Sequence, residues 1–389
     1  MSFDQKIDRR GTHCSKWDSM ETLYGVSPED GLAMWVADMD FRPPQCVQDA
    51  VQAMVDHGVY GYFGDESKYR AAIQWWMQER HGWAIESDWI FSLHGLVNGT
   101  AMCVETYTKP GDGVILFTPV YHAFARVIKA ADREVVEMEL VNTDGHYTMD
   151  FDAYDAAMTG NEKMVILCSP HNPGGRVWTR EELQQVADFC KRHDLILVSD
   201  EIHHDLTYGA KHTAMSLVDP SITDRLVMMT AATKTFNIAG SHIGNVIIED
   251  PDLRARFAKR MAGLGLSPNS FGLFMVTAAY TPEGAKWVDE LMAYLAENQR
   301  IFNEGINVIP GLKAMPLEAT YLSWVDFAGT GMPREEFTSR VQDQAKIAVN
   351  HGPTFGKGGE SFLRFNIAAP RAIIEDAVAR MQAAFSDLQ

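Results

Sequence analysis

The middle of this chain carries four short, continuous apolar runs, and each run is followed by a polar cluster. The runs occupy residues 114–117, 164–168, 195–198 and 226–229. Apolar runs of this length, without polar alternation, are typical of strands that are buried on both faces. Amphipathic stretches with helical spacing separate the runs, and one of them opens with a capping box at Thr179. The pattern predicts an α/β fold with a mostly parallel central sheet and helices on both faces.

The C-terminal part of the chain has a different pattern. A long helix is predicted at 291–306, and strands are predicted at 321–327 and 362–367. A final helix is predicted at 371–388. Strands that follow one another without intervening crossover helices are typical of a smaller α+β domain.

The chain is therefore expected to fold as two domains. The large α/β domain is predicted at 45–285, and the small α+β domain is predicted to consist of 1–44 and 286–389. The boundary falls near the turn-like cluster 281–284.

Composition and charge argue against several classes of partner. The chain has 389 residues and a formal net charge of −18, which repels nucleic-acid phosphates and anionic membranes. Its first residues lack the apolar core of a signal peptide, and no stretch approaches the roughly 20 apolar residues of a membrane helix. The five cysteines are scattered without a CxxC pair. This usage predicts reduced thiols and a cytoplasmic protein.

Lys234, Asp200 and Asn172 each follow the end of a predicted strand. In open parallel sheets, ligands bind beyond the carboxyl ends of the strands. A partly desolvated lysine amine is suited to Schiff-base formation, an aspartate to pairing with a protonated pyridine nitrogen, and an asparagine amide to a phenolate oxygen. Together these groups suit pyridoxal 5'-phosphate (PLP). Taken singly, each residue also fits a turn or a surface loop.

Three further features extend this site. The segment 95–99 precedes an apolar helix, whose first N–H groups make a phosphate cradle, although an ordinary glycine turn fits the pattern equally well. Tyr121 follows the run 114–117 and is placed to stack on a planar cofactor, or to lie half-buried without one. Arg364 lies inside the apolar strand 362–367. Its guanidinium could form two parallel hydrogen bonds with a substrate α-carboxylate or, alternatively, an internal salt bridge.

Other kinds of site fit the sequence less well. His203, His204, Asp205 and Asp200 suggest a metal cluster, but no HExxH occurs and adjacent histidines at a strand end diverge, so no metal is expected. No GxGxxG follows a strand, which argues against a nicotinamide site, and no P-loop is present. The remaining alternative is an α/β protein that binds no PLP.

The chain also carries the motifs of a known family. They are Met-Trp-Val-Ala-Asp-Met-Asp-Phe at 34–41, Tyr-Gly-Tyr at 60–62, Ser-Asp-Glu-Ile-His at 199–203 and Lys-Thr-Phe-Asn-Ile-Ala-Gly at 234–240. With these motifs the chain resembles the fold-type I PLP-dependent enzymes almost from end to end. Among them it resembles the MalY/PatB-like cystathionine β-lyase (C–S lyase) branch of the class I/II aminotransferase family. The resemblance implies a PLP transferase-like fold, with PLP bound by the large domain.

The resemblance also implies roles for individual residues. Lys234, Tyr121 and Asp200 are implied to be catalytic. The residues implied to bind the cofactor are Lys234, Asn172, Asp200, His203, Tyr121, Gly95, Leu96, Val97, Thr233 and Tyr60. Tyr60 is implied to reach the phosphate of the neighbouring subunit in a homodimer. The residues implied to bind substrate are Arg364, Ala37 and Asp38.

The chain departs from the aminotransferase pattern at three positions. Many aminotransferases have Tyr where His203 stands, and Ser and Arg bind phosphate where Ala231 and His242 stand here. Phosphate binding is therefore expected to depend more on Thr230, on Thr233, on the glycine loop and on Tyr60.

The activity implied by the resemblance is β-elimination. A C–S β-lyase of this branch cleaves cystathionine or related S-substituted cysteines to a thiol, pyruvate and ammonia, with Lys234 as the base that removes the α-proton. A class I/II aminotransferase uses the same residues and is the first alternative. A PLP-binding protein with a regulatory binding role is the second. The expected partners are a small amino-acid substrate and a second copy of the chain, without nucleic acid or membrane.

Overall fold

The computed structural model of the chain describes residues 3–388. Met1, Ser2 and Gln389, which the predicted small domain includes, lie outside the described residues. The helices are α1 Ser15–Asp18, α2 Met20–Tyr24, α3 Gln45–His57, α4 Ser67–His81, α5 Leu96–Tyr107, α6 His122–Ala130, α7 Phe151–Ala157, α8 Arg180–Arg192, α9 Ala232–Thr235, α10 Pro251–Leu264, α11 Ser270–Ala279, α12 Pro282–Asn307, α13 Arg334–Ser339 and α14 Arg371–Ala384. The strands are β1 Leu32–Ala33, β2 Ile90–Leu93, β3 Gly113–Thr118, β4 Glu134–Glu139, β5 Val141–Thr143, β6 His146–Thr148, β7 Glu162–Cys168, β8 Ile196–Asp200, β9 Leu226–Thr230, β10 Gly244–Ile247, β11 Lys313–Ala314, β12 Leu322–Asp326, β13 Ile347–Ala348, β14 Asn350–His351 and β15 Phe362–Asn366.

A seven-stranded sheet forms the centre of the fold, in the order β2-β10-β9-β8-β7-β3-β4. Neighbouring strands are parallel from β9 to β4, whereas β10 runs antiparallel to both β9 and β2. The four apolar runs of the sequence form β3, β7, β8 and β9. The predicted mostly parallel sheet is therefore confirmed.

Helices cover both faces of this sheet, because successive side chains of a strand point to opposite faces. In β3, Ile115 belongs to a hydrophobic cluster that also contains Leu183 of α8. The next residue, Leu116, belongs to a second cluster, which also contains Phe124 of α6. Both faces of β3 are thus apolar, which explains why its sequence shows no polar alternation.

The starts of two long helices were predicted with different success. The capping box at Thr179 is present at the start of α8, as predicted. The cluster 281–284, predicted as a turn, is instead the N-terminus of α12. Thr281 Oγ1 accepts a hydrogen bond from Gly284 N–H (3.2 Å), and proline follows at the first helical position, where its missing N–H is not needed. None of the described helices is both long and apolar enough to span a membrane.

A second, four-stranded sheet has the order β11-β12-β15-β14, and all its strand pairs are antiparallel. The N-terminal segment joins this region, because β1 pairs with β13. In addition, Met34 N–H donates to Ala348 O (2.9 Å), and Asn366 N–H donates to Met34 O (2.8 Å). The seven-stranded sheet lies within residues 90–247 and the four-stranded sheet within residues 313–366. The division of the chain into two domains stays a prediction.

The carboxyl ends of β7, β8 and β9 lie side by side in the large sheet. Cys168 at the end of β7 is in register with Asp200 at the end of β8, which is in register with Met229 of β9. Asn172 lies in the loop after β7, and Lys234 lies in the short helix α9 that follows β9. The three polar residues chosen from the sequence therefore reach the same edge of the sheet.

Candidate active site

A cavity of about 560 Å³ opens at this edge of the sheet. Most of the predicted site residues line it. They are Ala37, Gly95, Leu96, Val97, Tyr121, Asn172, Asp200, His203, Thr233 and Lys234. The cavity therefore gathers residues from the ends of five strands and from the N-terminal segment.

Three predicted site residues do not line this cavity. Arg364 is not among the lining residues, but its Nη1 donates to Oδ1 of the lining residue Asn172 (2.9 Å). The Asp38 carboxylate is held by Arg9 in a two-bond ion pair (2.8 and 3.0 Å). Tyr60 lines a separate surface groove and is 57% exposed, so this single chain does not bring it to the cavity.

Lys234 is held with its amine in the cavity by the short helix α9. Its Nζ donates a hydrogen bond to the carbonyl oxygen of Ala37 (2.6 Å). Burial lowers the pKa of Lys234 to about 8, although the nearby carboxylates of Asp38 and Asp200 oppose this shift. The amine is therefore a better proton acceptor at neutral pH than an exposed lysine.

Asp200 is a buried carboxylate, and it forms no ion pair with any described residue. Its Oδ1 accepts a hydrogen bond from Ile202 N–H (3.1 Å). Burial raises the pKa of Asp200 to about 7. A cationic group bound in the cavity would restore the charged form, because an adjacent positive charge favours a carboxylate.

Asn172 and Arg364 form a connected pair of polar side chains. Because Asn172 Oδ1 accepts from Arg364, the amide Nδ2 is oriented away from that bond and donates to none of the described residues. Arg364 also donates to Trp35 O (2.9 Å) and to Asn350 Oδ1, while its buried Nε has no partner in the structure. Burial lowers the pKa of Arg364 to about 10, so the guanidinium remains charged at neutral pH.

The N-terminus of α5 forms one end of the cavity. Gly95 precedes the helix with a φ of +90°, and no atom lies within 4 Å of the position that a Cβ would occupy. The first N–H groups of the helix are therefore open to an anion. Thr230 Oγ1 is buried without a partner. These features fit a phosphate group.

His203 and Tyr121 are two of the ring-bearing side chains that line the cavity. Burial lowers the pKa of His203 well below its usual value, so its imidazole is neutral. Its Nδ1 is buried without a hydrogen-bond partner in the structure. Burial raises the pKa of Tyr121, so the phenol keeps its proton. A flat aromatic ligand that accepts and donates hydrogen bonds fits these surroundings better than water alone.

The donor set of the cavity fits PLP group by group. His203 Nδ1 in the lining, and Arg364 Nε and Thr230 Oγ1 of residues outside the lining, are buried without a hydrogen-bond partner. With the Lys234 amine, they would serve the carboxylate, ring, phosphate and aldehyde ends of a PLP–amino acid pair. The residue-by-residue roles remain predictions.

Three residues of the site were not given a role from the sequence. Arg126 of α6 lines the cavity and forms no hydrogen bond or ion pair with the described residues. Asn237 fixes the segment beside Lys234, since its Nδ2 donates to Met39 O (2.8 Å) and its Oδ1 accepts from Met39 N–H (2.9 Å). Asn350 faces Arg364 across two paired strands. Only Asn237 had a sequence signal, because it lies in the motif at 234–240.

Comparison with known proteins shows which family and structures the chain is similar to. The profile of the family described as aminotransferase class I and II matches residues 32–381. Cystathionine beta-lyase PatB of Bacillus subtilis (strain 168) is 37% identical over 99% of this chain and 100% of that protein. Protein MalY of Escherichia coli (strain K12) is 32% identical over 97% of each chain. Cystalysin from Treponema denticola, whose crystal structure contains a PLP cofactor, is 38% identical, with a TM-score of 0.94 over 100% of this chain and 99% of that one.

Proposed function

The chain belongs to the class I and II aminotransferase family, and we propose that it is a PLP-dependent carbon–sulfur β-lyase. Its substrates are cystathionine or related S-substituted cysteines, which it converts to a thiol, pyruvate and ammonia. One observation carries the proposal: the residues suited to PLP line one cavity in a chain that is 37% identical to cystathionine beta-lyase PatB over its full length.

Lys234 is the proposed base. PLP, when bound, supplies an aldehyde that condenses with amines and a ring that accepts the electron pair of the substrate α-carbon. The lowered pKa of Lys234, about 8, supports a role in which its amine takes the α-proton. Its bond to Ala37 O (2.6 Å) orients the amine in the cavity.

Four further residues are proposed to hold the cofactor. Asp200 would pair with a protonated pyridine nitrogen, which its buried and otherwise unpaired carboxylate supports. Asn172 would donate its free amide N–H to the phenolate oxygen. Tyr121 would stack on the ring, and the N–H groups after Gly95 would bind the phosphate.

Arg364 is proposed to bind the α-carboxylate of the substrate. Its guanidinium is charged and buried, and its Nε lacks a partner in the structure. Ala37 and Asp38 would border the bound substrate from the N-terminal segment. The ion pair between Asp38 and Arg9 supports this, because it fixes the segment in place.

The activity can be tested with L-cystathionine in the absence of any keto acid. We expect stoichiometric pyruvate and thiol, measured by a coupled dehydrogenase assay and a thiol reagent. Lys234→Ala should lose at least about 10³-fold in rate while remaining folded, because both the covalent attachment point and the base are removed. Undiminished activity in that variant would remove Lys234 from the mechanism.

An aminotransferase is the second candidate, because the matching family profile includes such enzymes. An aminotransferase would return the proton to the cofactor instead of expelling a thiol. The same assay separates the two functions. Turnover that requires an added keto acid and yields no thiol would favour the aminotransferase.

We further propose a cytoplasmic homodimer. Tyr60 and Tyr62 are exposed in the single chain and line an apolar groove, which supports a second copy of the chain as its cover. The five cysteines are free thiols in the structure, which supports a reducing compartment.

A further inference from the structure

A buried carboxylate, that of Asp205, lies outside the cavity lining and is surrounded by donors. Its oxygens accept hydrogen bonds from Trp76 Nε1 (3.1 and 3.2 Å), Thr235 Oγ1 (2.8 Å) and His81 Nε2 (2.9 Å). His204 Nε2 lies 3.1 Å from Oδ2 as an ion pair. The Asp205 side chain is 0% exposed. So many donors on one buried carboxylate fix its position.

This carboxylate is connected to Lys234 through the next residue of the chain. Thr235, which donates to Asp205, ends the four-residue helix α9 that carries Lys234. A helix this short has little stability of its own, so tertiary contacts must set its position. On the following residue, the ring of Phe236 packs against Trp76, with ring centroids 5.4 Å apart. Asp205 and Trp76 thus hold the same short turn from one side.

The charges of the cluster are balanced within it. Burial opposes ionisation of Asp205, but His204 and His81 lower its pKa well below the usual value. Burial likewise opposes protonation of His204, yet the Asp205 charge raises its pKa above the usual value. Burial lowers the pKa of His81 to about 4, so that ring is neutral at pH 7. Asp205 and His204 therefore favour each other's charged form.

Other titratable or charged groups face this ion pair from the surrounding elements. They are His81, Arg80, Glu201, His212 and Tyr280. The Glu201 carboxylate accepts hydrogen bonds from His212 Nε2 (2.7 Å), from Ser199 Oγ (3.0 Å) and from Met215 N–H (2.9 Å). It forms no hydrogen bond with the His204 ring, although its charge also raises the pKa of His204.

We propose that Asp205 is a positioning residue for the reaction, which holds the Lys234 turn in place through its hydrogen bond from Thr235. The inference rests on the proposed function, because Lys234 is the group that is positioned. Small displacements of a reacting group cost large factors in rate, which gives the hydrogen bond to Thr235 a functional consequence.

The same side chains suggest a second chemistry, a bound metal. One ligand atom each from His81, His204 and Asp205 lies within 4.8 Å of the others. However, both Asp205 oxygens already accept hydrogen bonds from Trp76, and Oδ2 also accepts from Thr235. A metal would have to displace these donors. The positioning role requires no rearrangement, and we therefore prefer it.

The test uses two variants. Thr235→Val removes the hydroxyl at nearly constant volume, and Thr235→Ser keeps the hydroxyl but removes the methyl group. For the holoenzyme of each variant, we would measure kcat and KM for L-cystathionine per bound cofactor. We would also measure the pH midpoint of the visible absorbance of the bound cofactor, and Tm. We expect T235V to lose about tenfold or more in kcat, with a shifted absorbance midpoint and KM within about twofold of wild type. T235S should recover most of the loss, and Asp205→Asn should resemble T235V.

Several outcomes would overturn the proposal. A T235V enzyme with a lower Tm, but with wild-type kcat and absorbance midpoint, would make the contact purely structural. A stoichiometric transition metal in the purified wild-type protein would assign the cluster to metal binding instead. If the wild-type holoenzyme produces no pyruvate, the proposed lyase function fails. An active wild type with an unaffected T235V variant refutes the positioning role alone.

Discussion

Asp200 shows how the fold uses an energetically unfavourable group. Its carboxylate is buried at the end of a strand without an ion-pair partner among the described residues, and burial raises its pKa from 3.8 to about 7. A residue whose pKa is raised on folding stabilises the native state below its unfolded pKa. That contribution is lost as pH rises through the folded value. The free protein therefore loses stability on forming the charge that the cofactor would need.

The first prediction concerns Asp200→Asn in the cofactor-free protein. Between about pH 4 and about pH 7, wild type should lose stability relative to the variant, by at most about 1.4 kcal/mol per pH unit. The measurement is urea unfolding, followed by circular dichroism at several pH values. Bound PLP should reduce the difference, because its pyridinium pairs with the carboxylate. Parallel pH curves for wild type and variant would contradict the pKa shift.

Arg364 carries the second prediction at this scale. Its planar guanidinium contacts Asn172, Asn350 and Trp35 together, and an ammonium group cannot reproduce that geometry. Arg364→Lys should raise KM for L-cystathionine about 10- to 100-fold, as expected for a lost charge-assisted hydrogen bond. Arg300→Lys, at an exposed ion pair, is the matched control. A KM equal to that of the control would exclude Arg364 from substrate binding.

The individual site residues were predictable to different degrees. Lys234, Asp200 and Asn172 could be chosen because each follows an apolar run, and strand ends of a parallel sheet share one edge. The bond between Arg364 and Asn172 could not be predicted, because 192 residues separate them. The amine of Lys234 likewise donates to Ala37, 197 residues away. Contacts of this kind depend on how segments distant in sequence pack together, and they leave no local signal in the sequence.

At the scale of elements, the four strands with continuous apolar runs were predictable, and the two short strands β2 and β10 at one side of the sheet were not. The four central strands are continuous apolar runs because both their faces are covered. The strand β2 has only four residues, and β10 begins with Gly-Asn, a pair that is unfavourable in strands. The short helix α9 was also missed, because four residues carry no periodic pattern.

The packing of β10 against the start of α5 gives the third prediction. A Cβ added at Gly244 of β10 would lie 3.2 Å from Gly95 Cα and 2.7 Å from Leu96 Cδ2. Gly244→Ala should therefore displace the turn proposed to bind phosphate and weaken PLP binding about tenfold. The measurement is titration of cofactor-free protein with PLP by absorbance. Gly240→Ala is the control, because its added Cβ meets no atom within 4 Å. Equal affinities of the two variants would contradict the proposed phosphate site.

At the scale of the whole molecule, the site is assembled from distant parts of the chain. The segment at 34–41 reaches the cavity because Asn366 and Asn237 bind its backbone from two sides. The sequence predicted that the first forty residues pack with the C-terminal region, and β1 pairing with β13 agrees with this. It did not predict that the same segment would contact Lys234. The active site therefore depends on the relative position of both sheets.

The last prediction concerns assembly. Val59, Tyr60, Tyr62 and Phe274 are exposed in the single chain, Tyr62 fully, and they line one apolar groove of about 670 Å³. An exposed cluster of this kind marks an interaction site. A second copy of the chain is the occupant that would also bring Tyr60 to a neighbouring cavity. Light scattering should therefore give about twice the chain mass of 43.5 kDa.

The double variant Val59→Glu with Tyr62→Glu should give the mass of one chain, because two unpaired charges would be buried in the interface. Activity should also fall when the dimer dissociates, since Tyr60 would no longer reach the cavity of the second chain. Val308→Glu is the control, because Val308 is comparably exposed but lies outside the groove. A wild-type protein that is fully active as a single chain would refute both the homodimer and the role of Tyr60. If the double variant instead remains a dimer with full activity, the groove is not the interface, and the second copy must bind elsewhere.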